Sequence, residues 1–426
     1  MKNILMIGGG VSGKAVESLA EALHITCNVT SDAESANINM DTLFAGVDTV
    51  IVSPGVLPTS KLYREACKRA LPVISELEFG VRHFPGAMVA VTGTNGKTTT
   101  VELTEFILKS MQIPVIAAGN IGLPLSAVAA EIVRNGTADA GNMTAVLEVS
   151  SFQLEHTHTL PLKGAVLLNV QSDHINRYPG GMAEYRAVKE RIFNDTPQDK
   201  RFYGCSMTGN SCCGEFAVKN NALYCRDQAV LDLQKTALSA PHNQENLLAA
   251  VALANTIIPD LADRCNELAA AIEKFKTGDH RISLVAEHNN IRYIDDSKAT
   301  NPSAVLAAVS SLRKVPAQDI VLIAGGLDKD MDFSELRPLA GFLRKLVVYG
   351  RCGSDIAEVF KDCCVDIYNA GNDFENAFAA AAAAARSGDI VLLSPAAASM
   401  DMFKDYKERG NVFADLVRKY IAGPEI

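Results

Sequence analysis

The sequence repeats one pattern: a short apolar run, a glycine-rich turn, and then a segment with the apolar spacing of a helix. Clear copies begin at NILMIG (3–8), MVAVTG (88–93) and DIVLIAGG (319–326). Strands that alternate with helices in this way form parallel sheets with helices on both faces. The pattern therefore predicts an α/β protein built from parallel sheets.

Two stretches rich in turn-forming residues interrupt the repeating pattern. They are HFPGA at 83–87 and FKTGDH at 275–280. Glycine and proline in such clusters mark connections between structural units. We therefore expect three α/β units, at residues 1–84, 85–278 and 279–426.

Composition excludes several classes of protein. Charged residues make up 21% of the chain and the net charge is −9, which argues against binding a nucleic-acid backbone. The apolar run at the start is too short for a signal peptide, and the longest apolar stretch (377–385) is far below the ~20 residues of a membrane span. We expect a cytoplasmic protein, without membrane insertion, that is a monomer.

Ten cysteines are present, and none forms a C-x-x-C pair. Four of them lie close together in sequence, namely Cys205, Cys212, Cys213 and Cys225. This cluster allows a zinc site, but reduced structural thiols are the favoured interpretation for a cytosolic protein.

The first glycine loop matches G-x-G-x-x-G through Gly8, Gly10 and Gly13, after a strand and before a helix. That context is typical of a dinucleotide site, for which Asp32 could supply the expected acidic residue. Another phosphate-bearing ligand at the helix N-terminus, or a tight turn without a ligand, fits the same residues.

The second loop, VAVTGTNGKTTT at 89–100, resembles a phosphate-binding loop but has Val91 where the usual pattern has its first glycine. Gly93 and Gly96 still allow successive backbone N–H groups to face a phosphate. Lys97 could neutralise the outer phosphates, and Thr98 could offer a hydroxyl to Mg²⁺. The loop therefore predicts a nucleotide site.

Three further residues are candidates for metal or acid–base chemistry. Glu148 ends a strand and could hold a metal directly or through water, or be a solvated carboxylate. His174, beside Asp173, could bind a second cation or orient a reacting group. By itself, Lys189 looks like a solvated lysine on a helix.

Seven segments occur together in a characteristic order: VAVTGTNGKTTT, LEVSSFQLE, NVQSDHINRY, EYRAVKERIF, HNQENLLAA, DDSKATNP and LLSPAAASMDMFKDY. As a set they strongly resemble the Mur ligases of peptidoglycan synthesis, most closely the branch that adds D-glutamate. The resemblance spans nearly the whole chain. In this family the loop has its own shorter glycine spacing, which accounts for Val91.

The resemblance implies three domains: a Rossmann-like UDP-sugar-binding domain, a central P-loop-type ATPase domain, and a C-terminal Rossmann-like domain that binds D-glutamate and closes on ATP. It implies that ATP, UDP-N-acetylmuramoyl-L-alanine and D-glutamate react through an acyl phosphate, with two Mg²⁺ ions. It also implies a UDP-sugar, not NAD, at the first glycine loop.

The family's functional residues fall on matching positions, and the resemblance implies their roles. Lys97, Glu148, His174 and Lys189 would be catalytic. Thr98 and Glu148 would hold the first Mg²⁺, and His174 with an N-carbamylated Lys189 the second. ATP would be bound by Gly93, Thr94, Asn95, Gly96, Lys97, Thr98, Thr99, Thr100, Asn243, Asn246, Arg281 and Asp296. The uracil would contact Val11 and Ser12, and the muramoyl-alanine part Asn120 and His174. D-Glutamate would bind Lys298, Thr300, Lys329, Ser399 and Tyr406.

Two residues depart from the family pattern: Asn176 stands where Asp is usual, and Tyr406 where Phe is commoner. Another Mur ligase or a folylpolyglutamate synthase-like enzyme would share the loop and Lys189. DSKATN and SPAAASMD favour the D-glutamate branch, and the D-N-P-R signature of the diaminopimelate-adding branch is missing from the sequence. An NAD-dependent oxidoreductase is the alternative from a different class.

Overall fold

The computed structural model describes residues 1–136, 140–312 and 319–423. It is a mixed α/β structure with three sheets that are parallel or mainly parallel and one small antiparallel sheet. The chain forms two compact units. The first comprises Met1–Val170 and Ala183–Lys276, and the second comprises Gln171–Met182 and the described part of Thr277–Ile426.

Nineteen strands are described. In chain order they are β1 Asn3–Ile7, β2 Thr26–Thr30, β3 Thr49–Val52, β4 Val73–Ser75, β5 Ala87–Thr92, β6 Val115–Gly119, β7 Thr144–Glu148, β8 Gly164–Leu167, β9 Arg201–Tyr203, β10 Cys212–Cys213, β11 Phe216–Lys219, β12 Ala222–Cys225, β13 Gln228–Asp232, β14 Ser283–His288, β15 Ile291–Asp295, β16 Ile320–Gly325, β17 Leu343–Tyr349, β18 Asp366–Asn369 and β19 Ile390–Leu393.

Fifteen α-helices accompany them in the described chain. They are α1 Val11–Ala22, α2 Met40–Leu43, α3 Lys61–Lys68, α4 Glu76–Val81, α5 Lys97–Ser110, α6 Leu125–Asn135, α7 Ser151–Leu154, α8 Gly181–Glu190, α9 Cys205–Thr208, α10 Pro241–Ile257, α11 Cys265–Lys274, α12 Pro302–Leu312, α13 Gly353–Val359, α14 Phe374–Ala384 and α15 Tyr406–Ala422. Short 3₁₀ segments connect several of these elements.

The first unit contains two parallel sheets, with strand orders β2-β1-β3-β4 and β6-β7-β5-β8-β9. The inner strands β3, β5, β7 and β8 are almost wholly buried, as their near-continuous apolar sequences require. In each sheet the chain order reverses beside the first strand, β1 or β5. Parallel sheets bind ligands at such points, beyond the carboxyl ends of the strands.

The second unit contains a six-stranded sheet with order β14-β15-β19-β16-β17-β18. Only β14 runs antiparallel, and it forms one edge. The carboxyl ends of β15, β16, β17 and β19 therefore lie side by side at the same end of this sheet, which we call its carboxyl edge. DSKATN, GGLDKD and SPAAASMD all begin there.

The alternating strand–helix pattern predicted the mixed α/β class and its parallel sheets, and the division into three units stays a prediction. The helix expected at 97–110 spans Lys97–Ser110, and the proposed divisions at 84/85 and 278/279 fall between sheets. The antiparallel sheet β10-β11-β12-β13 was not predicted. Its strands have two to five residues and mix apolar with polar side chains, so they lack the long buried runs that marked the others.

Candidate active site

The loop between β5 and α5 is shaped by two glycines. Gly93 has φ +151° and Gly96 has φ +85°, both in the region that side chains rarely adopt. A Cβ on Gly96 would lie 2.2 Å from Asn246 Oδ1. Only glycine therefore lets the start of α5 approach α10 this closely.

Asn169 holds the loop from the neighbouring strand. Its Oδ1 accepts hydrogen bonds from the backbone N–H groups of Thr94 (3.2 Å) and Asn95 (2.9 Å). Sequence reasoning missed this residue. The available signal was a polar side chain immediately beyond a buried strand, the place where parallel sheets carry their ligand-binding groups.

Two lysines converge on one carbonyl group of the loop. Lys97 Nζ donates to Gly93 O at 2.9 Å and to Thr94 O at 2.8 Å. Lys189 Nζ also donates to Gly93 O, at 2.8 Å, and lies 4.5 Å from the centre of the Tyr185 ring. Lys189 is only 2% exposed, so its interpretation as a solvated helix lysine is wrong. Two buried or half-buried lysines beside a glycine loop are an arrangement suited to binding an anion.

The Glu148 carboxylate lies at the carboxyl end of β7 and is 2% exposed. Its Oε2 accepts a hydrogen bond from Thr98 Oγ1 at 2.6 Å, and its Oε1 accepts one from Asn120 Nδ2 at 2.8 Å. The interpretation of Glu148 as a solvated carboxylate is therefore wrong. Thr98 of α5, Glu148 of β7 and Asn120, which follows β6, thus meet next to the loop.

The first turns of α10 complete the surroundings of the loop. Asn246 is buried, and its Oδ1 accepts a hydrogen bond from Thr100 Oγ1 at 3.3 Å. Its Nδ2 donates to Asn243 Oδ1 at 3.3 Å. Thr99 and Thr100 are buried within α5. The residues predicted for nucleotide binding in this unit therefore lie around one loop.

A pocket of about 280 Å³ lies at the carboxyl ends of the first sheet. It is lined by Ile7, Gly8, Ser31, Asp32, Gly55, Val56, Leu57, Thr59 and Ser60. Asp32 accepts hydrogen bonds from Ser60 Oγ and from the backbone N–H of Lys61 and Leu62, so it orders the start of α3. Val11, 72% exposed, and half-buried Ser12 begin α1 beside this edge.

In the second unit, Asp296 follows β15 and is 6% exposed. Its Oδ2 accepts a hydrogen bond from Ser394 Oγ at 2.8 Å and its Oδ1 one from the Ile282 N–H at 3.3 Å. Burial raises the pKa of Asp296 to about 7, although these hydrogen bonds and the nearby Arg281 oppose the shift.

The predicted amino-acid pocket is held together by Arg409, which sequence reasoning did not single out. Arg409 is fully buried and donates to Ser297 Oγ (2.9 Å), Ser297 O (2.8 Å) and Ala397 O (3.1 Å). Ser297 Oγ in turn donates to Tyr406 O at 2.7 Å. These contacts join the DSKATN and SPAAASMD segments and so position the pocket residues they carry.

Five residues were predicted to bind the amino acid, and the structure places all of them at or near the carboxyl edge of this sheet. Lys298 Nζ lies 3.9 Å from the centre of the Tyr406 ring. Ser399 is buried, Thr300 is half-buried, and Lys329 Nζ lies 3.8 Å from Asp173 Oδ1. His174, which follows Asp173, belongs to the second unit, whereas Lys189 belongs to the first.

Comparison with known proteins identifies the family. The Mur ligase middle domain matches residues 91–208, and the Mur ligase, glutamate ligase domain matches residues 280–397. The UDP-N-acetylmuramoylalanine–D-glutamate ligase of Rubrobacter xylanophilus is 38% identical over 390 residues, which cover 87% of this chain and 84% of that relative. The enzyme of the same name from Francisella philomiragia is 32% identical over 98% of this chain and 97% of its own length.

The chain belongs to the family of UDP-N-acetylmuramoylalanine–D-glutamate ligases. It is accordingly an enzyme, a ligase, and the family resemblance of the sequence motifs is confirmed. The solved structure of the MurF ligase of Thermotoga maritima in complex with ADP has the same fold, with a TM-score of 0.57 at 16% identity over 89% of this chain and 91% of that one. Family membership decides against the NAD-dependent oxidoreductase.

None of the cysteines is among the predicted site residues. All ten are free thiols, and Cys205, Cys212 and Cys213 line a second pocket of about 300 Å³. Burial raises the pKa of Cys213 to about 11. Within the described residues, no three His, Cys, Asp or Glu side chains are grouped so that they could hold a metal ion.

Of the helices that the structure describes, none combines the length and the apolar character needed to cross a bilayer.

The raised pKa of Asp296 gives a prediction about stability. The folded state keeps this proton up to about pH 7, whereas the unfolded chain loses it near 3.8. The stabilisation is therefore fully present below about pH 4 and is lost as pH rises through about 7. We expect Asp296→Asn to remove this dependence, which amounts to at most roughly 4 kcal/mol.

Urea denaturation of both proteins between pH 4 and pH 8 measures the effect. The stability of the wild type relative to Asp296→Asn should fall from about pH 4 to about pH 7 and then level off. The exposed Asp362 provides a control, because Asp362→Asn should leave the profile parallel to that of the wild type. Parallel profiles for Asp296→Asn would contradict the prediction.

Proposed function

We propose that the protein joins D-glutamate to UDP-N-acetylmuramoyl-L-alanine and converts ATP to ADP and phosphate, as a step of peptidoglycan precursor synthesis. The relatives that carry this activity in their names match most of the chain. The observation that carries the proposal within the structure is the convergence of Lys97, Lys189 and Glu148 on the loop at 93–98.

The first half of the proposed reaction activates a carboxylate, which is a poor electrophile. Transfer of the γ-phosphoryl group from ATP converts it into an acyl phosphate. This transfer needs positioning and charge neutralisation more than covalent help from the protein. Lys97 and the N-terminal turn of α5 would supply both for the phosphates, and Asn243 and Asn246 border the same loop.

The residues near the loop fit Mg²⁺, because the ion prefers oxygen ligands and is usually held by one or two carboxylates together with phosphates. Thr98 and Glu148 would hold one ion. By the family resemblance, an N-carbamylated Lys189 would hold another together with His174, because carbamylation turns an ammonium into an oxygen ligand. When bound, Mg²⁺ neutralises phosphate charge and orients the transferred group.

The second half of the reaction is attack by the amine of D-glutamate on the acyl phosphate. The tetrahedral intermediate then expels phosphate and leaves an amide. Lys329, Thr300 and Ser399 offer one cation and two hydroxyl groups, the kinds of donor that a side-chain carboxylate needs. Lys298 and Tyr406 border the same edge of the sheet.

The UDP-sugar would bind at the first sheet of the first unit. The pocket bordered by Gly8, Asp32 and Leu57 lies beyond the carboxyl ends of its strands, where such sheets bind nucleotides. Val11 and Ser12 begin the helix that follows the first glycine loop. Asn120, bonded to Glu148, would contact the muramoyl-alanine part of the substrate.

Phosphate release with a panel of amino acids tests the proposal. We expect strong preference for D-glutamate over D-glutamine, D-aspartate and L-glutamate. D-Glutamine lacks the negative charge that would pair with Lys329, which should lower kcat/KM by roughly a hundredfold or more. L-Glutamate carries the same charges but directs its amine away from the acyl phosphate, so it should lose mainly kcat.

The same panel separates the alternatives. Comparable turnover with L-lysine or meso-diaminopimelate would contradict the D-glutamate assignment and favour another Mur ligase. Turnover with a folate and L-glutamate, in the absence of a UDP-sugar, would favour the folylpolyglutamate synthase-like alternative.

A further inference from the structure

The cation proposed to bind the side-chain carboxylate of D-glutamate already has a carboxylate beside it. Lys329 Nζ lies 3.8 Å from Asp173 Oδ1, and both residues belong to the second unit. The Lys329 side chain is 19% exposed and the Asp173 side chain 10%. This pair therefore lies largely out of solvent.

The Asp173 carboxylate is held weakly. Its Oδ1 is buried, and no residue that the structure describes forms a hydrogen bond with that atom. The imidazole of His174 is also near it, with Nε2 at 3.6 Å from the same oxygen. A buried oxygen without a hydrogen bond is costly, and an ion pair at 3.8 Å recovers only part of that cost.

The segment that carries Asp173 is attached to the same unit nearby. Ser303 Oγ donates to Gln171 Oε1 at 2.9 Å, two residues before Asp173. Lys329 follows β16 on the loop GGLDKD, where Asp328 Oδ1 accepts hydrogen bonds from the backbone N–H groups of Lys329 and Met331. A side-chain hydrogen bond at Gln171 and backbone hydrogen bonds at Lys329 and Met331 thus anchor the two segments, while the charged groups of the pair lie 3.8 Å apart.

We propose that Asp173 competes with the side-chain carboxylate of D-glutamate for Lys329, so that the amino acid must displace an internal carboxylate to bind. The inference rests on the proposed function. The three N–H groups of an ammonium can serve two carboxylates, but two carboxylates this close to each other repel, so the carboxylate of the substrate weakens the Asp173 contact and displaces it. Asp173 is thereby a specificity-determining residue that sets the affinity for D-glutamate without contacting it.

Substitution of Asp173 tests the competition. Asp173→Asn keeps the shape and removes the charge, and should lower the KM for D-glutamate about two- to fivefold, the range expected for loss of a partly exposed ion pair. Asp173→Glu keeps the competing charge and should not lower it. The KM for ATP and the Mg²⁺ requirement should stay unchanged in Asp173→Asn, since neither depends on Lys329.

Asp330 provides the matched control. It is exposed on the same loop as Lys329, has φ +57°, a conformation that asparagine tolerates, and forms no described ion pair. Asp330→Asn removes the same charge from the neighbourhood and should leave the KM for D-glutamate unchanged. If the KM for D-glutamate decreased equally in Asp330→Asn, the effect would come from net charge, and the inference would be overturned.

The remaining outcomes are also decisive. An unchanged or raised KM in Asp173→Asn, an inactive enzyme, or a shift confined to the Mg²⁺ requirement would overturn the inference and assign Asp173 to holding Lys329 or to the chemistry. Failure of the proposed function would differ from all of these, because the wild type itself would then show no phosphate release that depends on D-glutamate.

Discussion

Lys97→Ala should abolish ADP formation, with a loss in kcat/KM of roughly 10³-fold or more. Lys97 Nζ is held at 2.8–2.9 Å by two carbonyl groups of the loop, so its charge is already positioned beside the phosphate site. Removing one prepositioned donor from a transition state commonly costs roughly 10²–10³-fold. Loss of Lys97 should lower kcat/KM at least as much, because this residue would neutralise a polyphosphate as well as donate hydrogen bonds.

The loss should not extend to the UDP-sugar. The pocket of about 280 Å³ that borders Gly8 and Asp32 is built from a different sheet. Calorimetry should therefore show nearly unchanged binding of UDP-N-acetylmuramoyl-L-alanine to Lys97→Ala. Equal loss of ADP formation and of UDP-N-acetylmuramoyl-L-alanine binding would mean that the substitution unfolds the chain.

Lys109 supplies a control on the same helix. It is exposed near the end of α5 and pairs with Glu105 at 2.8 Å. Such i,i+4 pairs contribute only about 0.3–0.5 kcal/mol. Lys109→Ala should therefore keep nearly full activity, and a comparable loss there would show that Lys97→Ala acts by destabilising α5.

The glycine loop was predictable from sequence because its geometry is local. A buried strand, two glycines with the right spacing and a following helix leave few conformations for Gly93 and Gly96, and both adopt positive φ. The helix at 97–110 follows for the same reason. Residues whose role depends only on their neighbours in sequence can therefore be identified without knowledge of the tertiary fold.

Residues that act across the fold were harder to find. Asn169 and Arg409 were not singled out, because Asn169 holds Thr94 and Arg409 holds Ser297, and each of these partners is more than 70 residues away in sequence. Lys189 gave a misleading signal by itself: its helix carries charges at neighbouring positions, and only packing against the loop buries it. The family motifs supplied the long-range information that single residues lacked.

Lys189→Ala should inactivate the enzyme, and small carboxylates should partly restore it. Lys189 is 2% exposed and reaches Gly93 O at 2.8 Å, so the substitution leaves a cavity at the loop itself. If a carbamate on Lys189 holds Mg²⁺, its loss should exceed the roughly 10–100-fold typical of groups that only orient a metal ligand. The measurement is phosphate release with and without acetate or formate at high concentration.

Recovery with a carboxylate distinguishes two roles for Lys189: an ammonium that binds phosphate, and a carbamate that holds Mg²⁺. An ammonium that only binds phosphate would be replaced by a small amine and not by acetate, whereas a carbamate is replaced by another carboxylate. Arg186 gives the control, since it lies on the same helix, is exposed and pairs with Glu190 at 2.9 Å. Arg186→Ala should stay active and indifferent to acetate. Retention of most activity in Lys189→Ala would return this lysine to a structural role, in which its charge serves only to hold the Gly93 carbonyl group.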